Sequence, residues 1–308
     1  MHKEYEKLEL YRNRDIGQMM GFAATLVRRH YKHMFRTIGL MSLPLVLAAS
    51  TLYFLGTSRQ LEVFSMIRSN PQVLQEQGLY NLNLILSYLA SYFAFLSIVW
   101  GGVYYVQLYD EKGPENFQWN DIWNKVFEHG WKAIFGNIII FFIIFTLMFL
   151  AILPAFTIIL IPVTFILILG LSALTFLWEV VYLFEKKNAL ESLDISFKLL
   201  KKQWWKAIGL LIISYAIVYG FIAIPTLGIL IPNFIRSATG AMNPINEDTI
   251  FWILIFQNIN TVVGFIASFF MVLSFTAFYL TNKERLFHVS LGRRIDQLEL
   301  ESETGTYS

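Results

Sequence analysis

One ionisable side chain lies clearly inside the hydrophobic segments of this 308-residue chain, and such groups are commonly functional. This residue is Glu179. It lies five residues before Phe184, the predicted end of its segment, and therefore about 7.5 Å from that end at the rise of an α-helix. A carboxylate so placed can reach water or pair with a neighbouring cation such as Lys186 or Lys187. We favour this structural interpretation and keep a coupling site as the alternative.

A second polar group opens the last hydrophobic segment, where Gln257, Asn258, Asn260 and Thr261 occur close together. These side chains can line a polar cavity. More often such groups form hydrogen bonds between helices, each worth about 1 kcal/mol or less. Small residues at near-helical spacing in the second and sixth segments predict close helix packing. They are Ser87, Ser91, Ala94, Gly101, Gly264 and Ser268.

The other residues that carry chemistry do not form a recognisable reactive site. The chain has no cysteine, which excludes disulfides, thiolate metal sites and cysteine nucleophiles. His30 and His33 lie in a basic run that repels metal cations, so contact with the lipid surface is the better interpretation. Neither a Walker phosphate loop nor a G-x-S-x-G motif occurs. We therefore predict that the protein is not an enzyme and binds no metal or cofactor.

The composition predicts a membrane protein. Apolar residues make up 56% of the chain and charged residues 15%, whereas soluble domains carry roughly 25% charge. Six segments have the roughly 20 apolar residues that a helix needs to cross the hydrocarbon. They are 37–56, 82–109, 134–153, 162–184, 207–231 and 250–281. The predicted fold class is all-α, with six transmembrane helices. The proline pairs Pro154/Pro162 and Pro225/Pro232 indicate either short re-entrant turns or over-long, kinked helices.

Lysine and arginine are distributed unequally between the connecting segments. Of the 24 such residues, 21 precede the first segment, follow the sixth, or lie in the second and fourth connections. Only Arg59, Arg68 and Arg236 lie in the other connections. Because cytoplasmic loops retain cations, both termini are predicted to be cytoplasmic. The predicted organisation is a cytoplasmic segment over 1–36, a membrane domain over 37–281 and a partly disordered cytoplasmic tail over 282–308.

A short pattern recurs where the odd-numbered segments begin. It reads aromatic, basic, small, isoleucine, and it occurs at 35–38, 131–134 and 205–208. Each copy follows an amphipathic stretch with helical spacing, which predicts an interfacial helix followed by a two-span hairpin, used three times. Asn188 and Glu191 have the spacing of a capping box at the start of the third such helix. The predicted lipid contacts are Arg28, Arg29, Arg36, Trp131, Lys132, Trp204, Trp205 and Lys206.

The stretch 193–210, LDISFKLLKKQWWKAIGL, carries a family resemblance. It resembles a recurring element of the multi-span membrane domain found on bacterial glycerophosphoryl diester phosphodiesterases and in stand-alone relatives of that domain. The matching residues are Ser196, Phe197, Leu199, Lys201, Trp204 and Trp205. The resemblance implies a membrane module in a bacterial cytoplasmic membrane. It implies no catalysis, because the phosphodiesterase chemistry of that family belongs to a separate soluble domain.

Two functional hypotheses follow. The first is a non-enzymatic accessory or structural subunit that packs against other integral membrane proteins through small-residue seams and amphipathic surfaces. The second is a transporter or lipid-handling protein with a cavity between the hairpins, which requires Glu179, Gln257, Asn258 and Asn260 to line a polar pathway. An intramembrane enzyme ranks third, because no placed acid, base or metal is visible. In each case the basic residues that border the spans are expected to bind anionic lipid headgroups and not a nucleic acid.

Overall fold

The computed structural model describes residues 8–69, 78–238 and 247–289, together with 291, 292 and 295. Within these residues the chain forms eight α-helices and no strand. The helices are α1 (Ile16–Met34), α2 (Leu40–Ser69), α3 (Gly78–Lys112), α4 (Trp119–Ile152), α5 (Ile161–Glu185), α6 (Ala189–Lys202), α7 (Trp204–Ala238) and α8 (Glu247–Phe287). The all-helical prediction is therefore confirmed.

Six helical segments are long and apolar enough to cross a membrane. They are Ile16–Thr57, Ile85–Lys112, Lys132–Ile152, Ile161–Glu185, Trp204–Gly228 and Asn258–Phe287. Each overlaps one of the six predicted segments, so the prediction of a multi-pass chain is confirmed at this level. The side of the membrane on which each terminus lies stays a prediction.

The three predicted interfacial stretches join their spans in different ways. A π-helical turn, Phe35–Gly39, connects α1 to α2, and His30 interrupts α1 with non-helical backbone angles. The stretch 119–130 continues into its span without a break, as the first part of α4. In contrast, α6 is separated from α7, because Gln203 leaves the helical conformation at φ −138° and ψ 36°. The placement of these stretches at a membrane surface stays a prediction.

The two proline-bounded segments differ. Residues 153–160 form two 3₁₀ turns, Leu153–Phe156 and Ile158–Leu160, in which the Thr157 N–H donates to the Pro154 carbonyl at 3.1 Å. The segment from Pro225 to Pro232 instead lies inside the continuous helix α7. Transmembrane helices tolerate proline where other groups satisfy the freed backbone carbonyl. Next to Pro225, the Thr226 hydroxyl donates to the Ile222 carbonyl at 2.8 Å. The structure thus favours an over-long helix for the second pair.

The described residues divide into two compact units. The first draws on Met1–Met34, Val103–Ile213 and Val272–Ser308, and the second on Phe35–Gly102 and Ser214–Met271. In the second unit, small residues of the predicted seam pack internally. Ala94 is fully buried beside Ala49 of α2, and a Cβ atom added at Gly101 would lie 2.8 Å from the Ile38 side chain.

In the first unit, the N-terminal segment packs against α3 instead of standing apart from the spans. The Leu8 N–H donates to the Tyr109 hydroxyl at 3.0 Å. Arg14 is buried and donates to the Leu10 carbonyl at 2.8 Å and to the Glu9 carbonyl. Burial, aided by the nearby charge of Arg12, lowers the pKa of Arg14 to about 10, so its guanidinium remains charged at neutral pH.

Two helix starts in the first unit are fixed by side-chain caps. The predicted cap at Asn188 is confirmed, because its side-chain oxygen accepts the Glu191 N–H at 2.8 Å. At the start of α4, Gln118 and Asp121 form a capping box, in which the Asp121 carboxylate accepts the Gln118 N–H at 2.7 Å. The hydrogen bond from the Gln118 N–H, followed by one from Lys112, holds the pKa of Asp121 below its usual value.

Candidate functional site

The candidate site is built on the hairpin of α4 and α5, which the two 3₁₀ turns close. Near the other end of the hairpin, the Tyr182 hydroxyl donates to the Lys132 carbonyl at 2.9 Å. Helix α6 then packs along α5, and the Trp178 Nε1–H donates to the Ala189 carbonyl at 2.9 Å where α6 begins. Helices α4, α5 and α6 therefore pack side by side within the first unit.

The face of α6 that packs into the unit carries two serines in its first half and two leucines, Leu199 and Leu200, near its end. Ser192 and Ser196 are fully buried, and the Ser196 hydroxyl donates to the Ser192 carbonyl at 2.7 Å. The predicted apolar stripe is covered only in part. Leu200 is buried and Leu193 and Trp204 are half-buried, whereas Leu190 is 60% exposed and Phe197 is 52% exposed. The stripe has the predicted helical period, but the protein itself leaves much of it uncovered.

An open groove runs between this stripe and the hairpin, with a volume of about 630 Å³. Eleven of its twelve lining residues are apolar, and the twelfth is an aspartate. We call this feature the apolar groove. It is lined by Leu147, Leu150 and Ala151 of α4; Leu167, Gly170, Leu171 and Leu174 of α5; Leu190, Leu193, Asp194 and Phe197 of α6; and Trp204 of α7.

The indole of Trp204 lies directly on the backbone of Gly170. A Cβ atom built at position 170 would lie 2.1 Å from Trp204 Cη2 and 2.2 Å from Cζ2, which no real side chain can occupy without movement. Glycine at this position is therefore required by close approach. The contact forms one wall of the groove and fixes the junction between α6 and α7 against α5.

Asp194 is the one charged residue that lines the groove. Its Oδ2 accepts a hydrogen bond from Lys198 Nζ at 2.5 Å, one helical turn further along α6. The preceding acid of α6, Glu191, is likewise paired with Lys187 at 2.6 Å. Both pairs are exposed, so each contributes little to stability by itself.

No protein-family model matches the chain, and comparisons with curated proteins and with solved structures found no similar protein. The family resemblance of the stretch 193–210 stays a prediction. The functional interpretation therefore depends on the geometry of the site itself.

Of the eight predicted lipid contacts, Trp204 is the one that lines the groove. Trp205 beside it is 69% exposed, and Lys206 is half-buried. Arg28, Arg36 and Lys132 are exposed and Arg29 is half-buried, while the Trp131 side chain lies outside the described residues. The residues that line the groove do not include Arg28, Arg29 or Lys132.

Glu179 does not occupy the expected position at the water interface. It is only 5% exposed, and it lies close enough to Tyr104 and Tyr182 to interact with them electrostatically. Lys187 bonds to Glu191 instead. The predicted approach of Glu179 to water is therefore wrong, because its position on α5 turns the carboxyl toward the packed interior.

At the end of α5, Glu185 forms an ion pair with Lys283. Its Oε1 accepts hydrogen bonds from Lys283 Nζ at 3.0 Å and from the Tyr279 hydroxyl. Lys283 also donates to the Tyr279 hydroxyl at 3.2 Å. These contacts join α5 to α8 at one polar cluster.

The polar residues of α8 form contacts between helices of the second unit. Asn258 Oδ1 accepts a hydrogen bond from the Ser50 hydroxyl at 2.5 Å, and Asn260 Nδ2 donates to Thr226 Oγ1 at 2.8 Å. The side chain of Gln257 lies outside the described residues. Within the second unit these side chains thus form hydrogen bonds between helices, and the polar pathway of the transporter hypothesis stays a prediction.

The two histidines of the basic run bond inside the protein. His30 Nδ1 lies 3.0 Å from Glu115 Oε1, and His33 Nε2 lies 2.8 Å from the Phe117 carbonyl oxygen. Both rings therefore hold α1 against the segment between α3 and α4, and contact of this basic run with the lipid surface stays a prediction. Within the described ranges, no group of three or more His, Asp or Glu side chains is placed to hold a metal ion.

Sequence reasoning missed the hairpin side of the groove. Leu150, Leu171 and Leu174 are typical of any apolar span, and Gly170 carries no local signal that a tryptophan will pack on it. The available signal was the stripe on α6, since its period marked an apolar face. Only the packing of α6 shows that the serine side of the helix is the buried one.

Proposed function

We propose that this chain is a non-enzymatic, lipid-binding membrane protein whose apolar groove holds an acyl chain of a bilayer lipid. The observation that carries the proposal is the groove itself, of about 630 Å³ and apolar at every lining position except Asp194. Binding sites for small ligands have volumes of roughly 300–1,000 Å³ and mainly hydrophobic linings. An acyl chain matches this groove because it needs no hydrogen-bond partners.

The surroundings of the groove support a lipid occupant over a polar one. The rim residues Leu147, Leu150 and Leu167 are each more than a third exposed. The groove is therefore continuous with the outer surface of two candidate membrane spans, Lys132–Ile152 and Ile161–Glu185. A surface of this kind is stable only where lipid covers it, so acyl chains are the most abundant molecules at its opening.

The accessory-subunit hypothesis is less well supported. It relied on small-residue seams for contact with other membrane proteins, but Ala94 and Gly101 pack against α2 and the turn before it. Gly264 likewise faces the Ile222 side chain of α7. These positions are used within the chain, so the accessory role depends on the amphipathic surfaces alone and stays a prediction.

The proposal is tested by counting bound lipids on the purified full-length chain. Native mass spectrometry in mild detergent, with a phosphatidylcholine of defined acyl chains titrated in, should show one lipid retained above the non-specific background. Leu171→Trp places a large ring in the groove, and we expect it to weaken retention roughly tenfold, which corresponds to about 1.4 kcal/mol. The matched control is Phe145→Trp, on an exposed position of α4 outside the groove.

The control variant should retain lipid as the natural chain does. If Leu171→Trp also retained it fully, the acyl chain would be bound elsewhere and the proposal would be wrong. Circular dichroism of both variants separates loss of binding from loss of folding.

A further inference from the structure

The position of α6 places charged side chains beside a membrane span. Helix α6 begins at the level of Trp178 and ends where Trp204 lies on Gly170 of α5. Gly170 is fifteen residues before the end of the candidate span Ile161–Glu185, or about 22 Å along the helix. The final residues of α6 therefore pack beside α5 and directly precede the candidate span that begins at Trp204.

Three lysines occupy this end of α6, at Lys198, Lys201 and Lys202, and all three are exposed. Cations beside a span are costly in hydrocarbon and are found where a counter-charge or water meets them. Lys198 has a carboxylate partner in Asp194. In the part of the chain that the structure describes, no carboxylate forms a salt bridge with Lys201 or Lys202.

Lys201 also lies on the groove side of α6. It follows Phe197 by four residues, and residues four apart share one face of a helix. Phe197 lines the groove, as do Leu190 and Leu193 in the preceding turns. A cation thus lies beside the apolar groove, one helical turn after Phe197, as a phosphate lies beside the hydrocarbon chains of an anionic lipid.

We infer that Lys201, with Lys202 beside it, binds the phosphate of the lipid whose acyl chain occupies the apolar groove, so that the site selects an anionic phospholipid. This inference rests on the proposed function and specifies its ligand. The two lysines neutralise the headgroup charge, and the headgroup in turn stabilises two cations that lie next to the start of a candidate span. A zwitterionic headgroup satisfies this site less well, because it brings its own cation.

The inference is tested by competition between two lipids with identical acyl chains. Native mass spectrometry of the full-length chain should show preferential retention of phosphatidylglycerol over phosphatidylcholine. The double variant Lys201→Gln/Lys202→Gln should lose this preference by roughly tenfold or more, given the attraction of each lysine for an anionic surface. It should retain phosphatidylcholine as before. The charge-matched control is Lys32→Gln/Lys186→Gln, at two other exposed lysines.

Each outcome decides one of the two proposals. An unchanged preference in the double variant, or an equal loss in the control, overturns the headgroup inference while the acyl-chain site stands. Retention of neither lipid by the natural chain overturns the proposed function. Diacylglycerol, which has the chains without a phosphate, provides the second readout: both double variants should retain it equally, and a loss in Lys201→Gln/Lys202→Gln alone would show that the lysines support the fold and not the headgroup.

Discussion

Gly170 allows the indole of Trp204 to pack on the backbone of α5, and Gly130 is a helical glycine without such a contact. Both glycines lie inside helices, where alanine normally adds about 0.5–1 kcal/mol of stability. At Gly130 a Cβ atom would meet nothing within 4 Å, whereas at Gly170 it would enter the indole of Trp204. We expect Gly130→Ala to raise the free energy of unfolding slightly. Gly170→Ala should lower it by about 1–2 kcal/mol relative to that control, because overpacking outweighs helix propensity.

Unfolding of both variants in mild detergent, followed by circular dichroism, measures this difference. Tryptophan fluorescence should also shift in Gly170→Ala, since the indole of Trp204 has to move into the groove. Equal stability changes in the two variants would show that the contact between Gly170 and Trp204 is not maintained in the folded chain.

At the residue scale, the sequence identified the correct kinds of residue more often than their partners. Asn188 was recognised as a helix cap because the signal is local, and the cap is present. Glu179 was placed near water because its distance from the helix end was known, whereas the direction of its side chain depends on what packs against α5. Contacts between residues distant in sequence, such as that of His33 with Phe117, cannot be predicted from the spacing of residue types along the chain.

At the scale of elements, α6 shows why a hydrophobic stripe does not identify the buried face. In a soluble protein the apolar stripe of a helix faces the core. In a chain surrounded by lipid, the apolar side can remain uncovered, and small residues allow close packing between helices. Ser192 and Ser196 are packed on the buried side of α6 together with Leu199 and Leu200, whereas Leu190 and Phe197 remain exposed.

A reciprocal pair of substitutions on α6 tests this orientation. Ser196→Leu inserts a large side chain at a fully buried position, so we expect it to destabilise the chain by about 1–3 kcal/mol. Leu190→Ser removes an exposed side chain and should change stability by no more than about 0.5 kcal/mol. Thermal unfolding in the same detergent compares them. The reverse ranking would mean that the apolar stripe faces the protein and that the groove is closed.

For the whole molecule, composition predicted the number of spans because length and hydropathy determine which segments can cross a bilayer. It did not predict how the segments group. Of the four boundaries between the two units, one follows the end of α1 and three fall inside α3, α7 and α8, at positions where the sequence shows no change of composition. Grouping depends on which faces interlock, as at Gly101 with Ile38, and a linear division of the chain into domains does not contain that information.

The orientation of the chain follows from its charges and can be tested without removing any native thiol. The chain has no cysteine, so Thr157→Cys and Glu191→Cys each introduce one reactive group at an exposed position. The cations that flank α6 predict that Glu191 lies on the cytoplasmic side, whereas the 3₁₀ turns around Thr157 lie in a connection without lysine or arginine. In intact bacterial cells, a membrane-impermeant maleimide should therefore label Thr157→Cys and leave Glu191→Cys unlabelled until the cells are opened. Labelling of Glu191→Cys in intact cells would reverse the topology, and the phosphate proposed at Lys201 would then belong to a lipid entering from the outer leaflet.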